Sequence, residues 1–244
     1  MGIRVLVNGA AGKMGQLAVK TINEQADFVL VGSTQRNNDL TAEIKKTAAQ
    51  IVIDVTNAES VLKNTTAIID AGAHPVIGTS GLLPEQVKSL QERCAQLALG
   101  GIIAPNFSLG AVLMMKYAQE IAKYFPHVEI IEMHHAGKAD SPSGTAIRTA
   151  EMLANKRLQT PAILQKNHET VPGARGAIHQ QVPIHSIRLP GLMAHQQIIF
   201  GGEGETLTLR CDTIDRNCYA PGILLACQKV LELDRLVYGL EQLI

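Results

Sequence analysis

The sequence predicts a doubly wound parallel α/β domain followed by a strand-rich α+β domain. Three observations carry this. Short β-branched or apolar runs alternate with helical patterns as far as residue 107. Each run ends in a small or polar turn, and beyond residue 107 the alternation gives way to strand runs separated by turns. A chain of 244 residues has room for two such domains with cores of their own. The expected division is 1–107, 108–215 and a helical segment, 216–244, that returns to the first domain.

Residues 3–7 form a compact β-branched run, followed by GAAGKMG (9–15) and a helical pattern with Met14, Leu17, Ala18 and Ile22 on one face. A glycine turn between strand and helix suits a dinucleotide. Ala10, Gly12 and Gly15 stand as A-x-G-x-x-G, with Gly9 helping the turn and Gly12 letting backbone approach a pyrophosphate at the helix start. The second strand, 28–32, runs into Ser33, Thr34, Gln35 and Arg36. An acid at that position holds a bare ribose, whereas an arginine suits a 2′-phosphate, so NADPH is expected ahead of NADH.

Residues 37–50 are polar and helix-permissive, and 51–55 (IVIDV) read as a buried parallel strand. A helix over about 58–71, a strand at 75–77 and the turn GTSG follow. Pro84 opens the next helix, with Val87, Leu90, Cys94 and Leu97 on its apolar face, and the strand 102–104 leads into APNF. The successive strand ends should line one crevice.

The second half begins with a helix over 108–124 whose stripe Leu109, Val112, Leu113, Met115, Tyr117 and Ile121 is expected to be core. The segment 132–146, EMHHAGKADSPSGTA, is the richest in chemistry. Residues 127–133 alternate as a strand, which puts His134 and His135 at or just past its end. After Pro142, Ala146, Ile147, Ala150 and Leu153 recur at helical spacing, with Ser143 or Thr145 as N-cap. The helix would thus start at the Gly144 and Thr145 amides, a ready site for an anion. Imidazoles and the Lys138 ammonium beside such a start suit a small acidic substrate. A polar loop, 160–176, could act as a lid. Strands at 177–188, 195–200 and 206–212 and a helix at 221–233 complete the chain.

Composition removes several classes. Lys+Arg and Asp+Glu are both 22, so there is no net field for nucleic acid. The apolar runs fall short of a membrane span, and the opening residues MGIRVLVNGAAG show no leader pattern. Cys94, Cys211, Cys218 and Cys227 lack C-x-x-C spacing and read as reduced thiols, so the expected location is cytoplasmic. No metal is expected, because adjacent His134 and His135 diverge on a strand and nothing completes a ligand set. His74, His168, His185 and His195 read as structural or surface residues, with an approach of His195, in LMAHQQ, to the pocket left open by the sequence.

With GAAGKMG, GTSG, APNF and EMHHAGKADSPSGTA in this order, the sequence resembles the 4-hydroxy-tetrahydrodipicolinate (dihydrodipicolinate) reductase family along essentially its whole length. The resemblance implies a Rossmann-type domain and a substrate domain with an open mixed sheet that forms a homotetramer. It also implies a hinge closing over both ligands and reduction of a cyclic dicarboxylate by NADH or NADPH on the diaminopimelate route to lysine. On matching positions it implies His134 as acid/base and Lys138 as proton donor, with His135, Gly144 and Thr145 binding a substrate carboxylate. It implies cofactor contacts at Gly9, Ala10, Ala11, Gly12, Lys13 and Met14, at Gly78, Thr79 and Ser80, and at Ala104, Pro105, Asn106 and Phe107. Arg36 would stand beside the adenosine ribose. The chain departs from many members at Ala136, where they carry arginine, and at Gln35, where NADH users carry an acid.

Overall fold

Six short strands rich in apolar residues form a parallel sheet in the spatial order Leu236–Tyr238, Gly101–Ile103, His74–Ile77, Ile51–Asp54, Ile3–Asn8 and Phe28–Thr34. The computed structural model describes residues 2–157 and 168–244. Within them the chain divides into two compact units, one of residues 1–109 with 216–244 and one of residues 110–215.

In the first unit β1 (Ile3–Asn8), β2 (Phe28–Thr34), β3 (Ile51–Asp54), β4 (His74–Ile77) and β5 (Gly101–Ile103) alternate with α1 (Lys13–Asn23), α2 (Leu40–Thr47), α3 (Val61–Asp70) and α4 (Pro84–Gln96). Asp39 starts α2 by accepting the Ala42 amide at 3.0 Å, and Gln86 starts α4 by accepting the Leu83 amide at 2.9 Å. The core lies between the sheet and the helices, with Leu6, Val52, Ile68, Ile77, Leu90 and Ile103 buried together. Leu97, expected on the buried stripe of α4, is 54% exposed because it caps the helix instead of continuing it.

Residues 216–244 complete this unit. A helix at Ala220–Lys229, numbered α7 after the second unit's helices, has its Gly222 against the Phe107 carbonyl, and β11 (Leu236–Tyr238) pairs with β5. Three residues of strand on a sheet edge give no periodicity to read, and β11 was not predicted. Cys94 and Cys227 are buried, and burial pushes their thiols up to about 11 and about 12.

The second unit holds a five-stranded sheet in the spatial order Glu205–Thr213, Ala194–Gly202, His127–His134, Val182–Arg188 and Ala177–His179. β6 (His127–His134) is central, parallel to β8 (Val182–Arg188) and antiparallel to β9 (Ala194–Gly202), so the sheet is mixed. β7 (Ala177–His179) and β10 (Glu205–Thr213) flank them. α5 (Leu109–Ile121) and α6 (Gly144–Ala154) contribute Met114, Ala118, Ala146, Ala150 and Leu153 to the core that buries Val128 and Ile130 of β6. Tyr117, expected in that core, is 57% exposed on α5.

The single strand expected over 177–188 is a hairpin. Gln180 and Gln181 both take left-handed backbone, φ 49° and 59°, which turns the chain in two residues. Such turns usually carry Asn-Gly, so Gln-Gln gave no signal. Of the expected lid, 160–167 lie outside the described residues; in 168–176 the Glu169 carboxylate accepts the Gly173 and Arg175 amides.

The backbone comes close at Gly15, where a Cβ would lie 2.1 Å from the Gly9 carbonyl oxygen and 2.6 Å from the Ala10 Cα. At Gly12 a Cβ would meet only the Gly9 oxygen, at 3.4 Å. Gly15→Ala should therefore cost about 1–3 kcal/mol of stability in urea unfolding, and Gly12→Ala about 0.5 kcal/mol or less. Equal losses would mean that the turn does not set how closely α1 packs.

Candidate active site

The C-terminal ends of β1, β2 and β3 open on a cavity of about 900 Å³ within the first unit, lined by Gly9, Ala11, Gly12, Gln35, Arg36, Thr56 and Lys63 among others, while the turns after β4 and β5 do not line it. The turn after β1 is fixed by its own backbone: the Gly9 and Ala10 amides donate to the Thr34 carbonyl and the Gly12 amide to Gly9. Helix α1 then starts at Lys13 with no side-chain cap, which leaves its first-turn amides to whatever lies in front of them. Gly9, Ala11, Gly12 and Arg36 thus border one space, with Ala10, Lys13 and Met14 on the same turn and first helical residues.

The other predicted cofactor positions follow β4 and β5. Gly78 packs against the Phe107 ring, and Ala104 and Phe107 are buried, so these two side chains support the turns from beneath. The Thr79 hydroxyl is also turned inward, donating to Asp54 Oδ1 at 2.7 Å and accepting the Thr56 amide at 2.8 Å. Ser80 is exposed and Pro105 lies at the surface beside half-buried Asn106, whose Oδ1 accepts the Ser108 amide at 2.8 Å.

Asp54 was missed by the sequence reading. Its fully buried carboxylate accepts Asn8 Nδ2 at 2.7 Å and Asn64 Nδ2 at 2.8 Å on one oxygen, and the Thr56 and Thr79 hydroxyls at 2.8 and 2.7 Å on the other. The Thr34 hydroxyl reaches the same network through Asn8 at 2.9 Å. All these donors are neutral, and they tie the ends of β1, β2 and β3 to the turn after β4. An acid closing the apolar run IVID was the available signal.

In the second unit the two-residue strand period decides the site. Val128, Ile130, Glu132 and His134 share one face of β6, and that face passes from apolar to polar where the strand ends. The β6–β8 register sets Ser186 beside Glu132 and Arg188 beside His134. Glu132 is fully buried and accepts a fork from Arg188, Nη1 to Oε2 at 2.9 Å and Nη2 to Oε1 at 2.8 Å. His134 Nδ1 lies 2.6 Å from Oε2, and the Ser143 amide donates to Oε1 at 3.2 Å. Burial opposes charge on Glu132, but hydrogen bonds from Arg188, Ser186 and His134 outweigh it and hold its carboxyl below the usual range. Burial also holds His134 below the ordinary histidine value, against the pull of Glu132 and with help from the Lys138 and Arg188 charges.

Lys138 Nζ is clasped by both Asp140 oxygens, at 2.6 and 2.8 Å, and the Asp140 carbonyl accepts Arg188 Nη2 at 2.7 Å. Ser143 is the N-cap, its hydroxyl accepting the Ala146 amide at 3.2 Å, and a Cβ built on Gly144 meets nothing within 4 Å. His134, Lys138 and the Gly144–Thr145 helix start are therefore gathered around Glu132, with His135 just beyond the strand. Glu132, Arg188 and Asp140 were not among the predicted site residues. His195 sits opposite Met133, on the other face of the sheet from His134; its Nδ1 is 2.7 Å from Asp212, and its Nε2 accepts the Met193 amide at 3.3 Å. Among the described residues no helix is long and apolar enough to cross a membrane, and no three His, Cys, Asp or Glu are grouped to hold a metal ion.

Comparison with known proteins agrees with this layout. Residues 3–107 match the family model described as dihydrodipicolinate reductase, N-terminus, and residues 110–244 that of its C-terminus. The chain is 54% identical over all 244 residues to a 4-hydroxy-tetrahydrodipicolinate reductase of Coxiella burnetii and 52% identical to one of Legionella pneumophila, each covered in full. It superposes on a dipicolinate-bound dihydrodipicolinate reductase from Paenisporosarcina sp. TG-14 with TM-score 0.92 and 41% identity, covering 100% of both chains. A scyllo-inositol dehydrogenase from Lactobacillus casei, 12% identical with TM-score 0.65 over 100% of this chain and 93% of that one, shares the fold alone.

The lowered histidine and carboxylate values give stability a definite pH dependence. The unfolded chain takes up protons near 6.5 at histidine and near 4.5 at glutamate, while folded His74, His134 and Glu132 resist them. Their contribution is therefore whole above these values and lost as pH falls, first below 6.5 and then below 4.5. The thermal midpoint should decline in that order, and His134→Gln and His74→Gln should each flatten the upper part. A slope unchanged in both variants contradicts the assignment.

Proposed function

The chain belongs to the dihydrodipicolinate reductase family, and we propose that it reduces 4-hydroxy-tetrahydrodipicolinate to tetrahydrodipicolinate with NAD(P)H, in the diaminopimelate route to lysine. The observation that carries this reading is the cluster at the end of β6: an imidazole, an ammonium and an open helix start around one buried carboxylate. That cluster has the parts needed to grip a dicarboxylate and deliver a proton to it.

The first unit fits a nicotinamide dinucleotide. Gly12 leaves its Cβ position open, α1 begins uncapped, and the cavity is long enough to reach Arg36. We assign Gly9 to Met14, Gly78 to Ser80 and Ala104 to Phe107 to the cofactor, with Thr79 and Phe107 acting through backbone and packing. Asp39 lines the same cavity, but its carboxylate caps α2. This leaves Arg36 and Gln35 to meet the ribose, which supports NADPH ahead of NADH. On this reading 1–107 is the cofactor domain, 108–215 binds substrate and builds a homotetramer, 216–244 belongs with the cofactor domain, and the enzyme works in the cytoplasm.

When bound, the cofactor supplies a hydride to a ring carbon of the substrate. The chain's own groups do the rest. The Gly144 and Thr145 end of α6, with its helix dipole, and His135 hold a substrate carboxylate. Lys138 attracts the dianion, which competes with Asp140 for its ammonium, and donates a proton as the substrate's hydroxyl leaves as water. His134 handles the proton at the reacting centre. Because His134 is held below its ordinary value, it rests neutral near neutral pH, and a bound dianion beside it favours its protonated form.

The test is steady-state kinetics with both cofactors and the freshly made substrate. His134→Ala and Lys138→Ala should each lose about 10²- to 10⁴-fold in kcat, with NADPH affinity nearly unchanged. Comparable loss of cofactor binding would make these residues supports of the fold. Arg36→Ala should weaken NADPH and leave NADH almost unaffected; tighter NADH binding in the parent chain, unchanged in the variant, contradicts the cofactor preference. Gly12→Ala, which the fold accepts, should bind either cofactor at least about tenfold more weakly.

A further inference from the structure

We infer that Glu132 is a positioning residue for the reduction: it holds His134 with Nδ1–H directed at its carboxylate, so that Nε2 is the nitrogen that exchanges a proton with the substrate. The inference rests on the reductase reading above and deepens it.

The geometry begins with acceptor capacity. A carboxylate that receives a forked arginine and a backbone amide is ionised, and an ionised carboxylate can only accept. The 2.6 Å contact from His134 Nδ1 to Oε2 therefore needs the hydrogen on Nδ1. In the neutral ring Nε2 then carries none, and on protonation Nε2 becomes the donor. Orienting an imidazole through its second nitrogen is a general way to fix tautomer and ring direction at once.

Arg188 matters because Glu132 has no exposure to water. Without the guanidinium the carboxylate would take a proton, could then donate, and would no longer select one tautomer. Arg188 also donates to the Asp140 carbonyl, and the Asp140 carboxylate holds Lys138, so the same pair sets where the ammonium stands. The Ser143 amide joins Glu132 to the start of α6.

The charged groups set against His134 are Glu132 on its own strand, Arg188 on β8 and Lys138 in the following loop, with Asp140 behind Lys138. β9 presents uncharged Ala194 directly opposite, and α6 contributes the Ser143 amide. Of these, Glu132 favours the charged imidazole, while Lys138 and Arg188 oppose it. Removing the Glu132 charge therefore lowers the pH above which His134 loses its working proton. For a group that acts as an acid, the basic limb of the kcat profile moves to lower pH.

The test uses the full chain and reads two things. Wild-type turnover of the dicarboxylate is measured first, so failure of the reductase reading shows there and not in a variant. Nitrogen NMR of histidine-labelled wild-type protein, with His134 assigned against His134→Gln, should show the Nδ1-protonated tautomer; the Nε2-protonated one overturns the inference. This reading needs no folded Glu132 variant. In Glu132→Gln, kcat should fall about 10²-fold, the dicarboxylate KM and NADPH affinity should each stay within about threefold, and the basic limb should shift to lower pH. A loss of kcat with the pH profile unmoved, or no loss, assigns Glu132 to the fold alone.

Discussion

A carboxylate with no exposure to water has to be matched by donors on every side, and Glu132 meets that condition by drawing in Arg188, His134 and the Ser143 amide. Each donor belongs to a different piece of the site. His134 is the end of its own strand, Arg188 the end of the parallel neighbour β8, and Ser143 the cap of α6. Satisfying one buried charge therefore fixes the imidazole, the loop that carries Lys138 and the start of α6. Breaking either half of the Glu132–Arg188 pair leaves the other charge buried and unmatched, a loss on the order of 3–5 kcal/mol in comparable cases.

The first unit solves the same problem with different chemistry. Asp54 is as buried as Glu132, yet Asn8, Asn64, Thr56 and Thr79 satisfy it with neutral hydrogen bonds and no cation. Around Asp54, amide and hydroxyl donors hold the ends of β1, β2 and β3 and the turn after β4 together on one carboxylate. Around Glu132, the arginine fork keeps the carboxylate ionised while it holds the His134 imidazole.

Much of this was legible in the sequence because local rules decide it. The strand–turn–helix at 3–22 and the Ser143 cap follow from glycine spacing and helix periodicity, and the polar end of β6 follows from a period of two that puts Glu132 beside His134. What was not legible depends on pairing. Arg188 reaches Glu132 from 56 residues further along, through a β6–β8 register that no local pattern states. The strand β11 is too short to show a period, and the Gln180–Gln181 turn uses left-handed backbone without the residues that usually signal it. Tyr117 shows the opposite error, an aromatic at helical spacing that faces solvent because the stripe on α5 is narrower than its apolar content suggests.

The most direct test follows the hydride itself: the purified chain is given reduced cofactor deuterated at the transferring position, with 4-hydroxy-tetrahydrodipicolinate as sole acceptor, and the product is analysed by mass spectrometry. The expected result is tetrahydrodipicolinate carrying one deuterium, formed in step with cofactor oxidation. Tight cofactor binding with no label in the dicarboxylate would contradict the reductase reading and, with it, the role given to the cluster around Glu132.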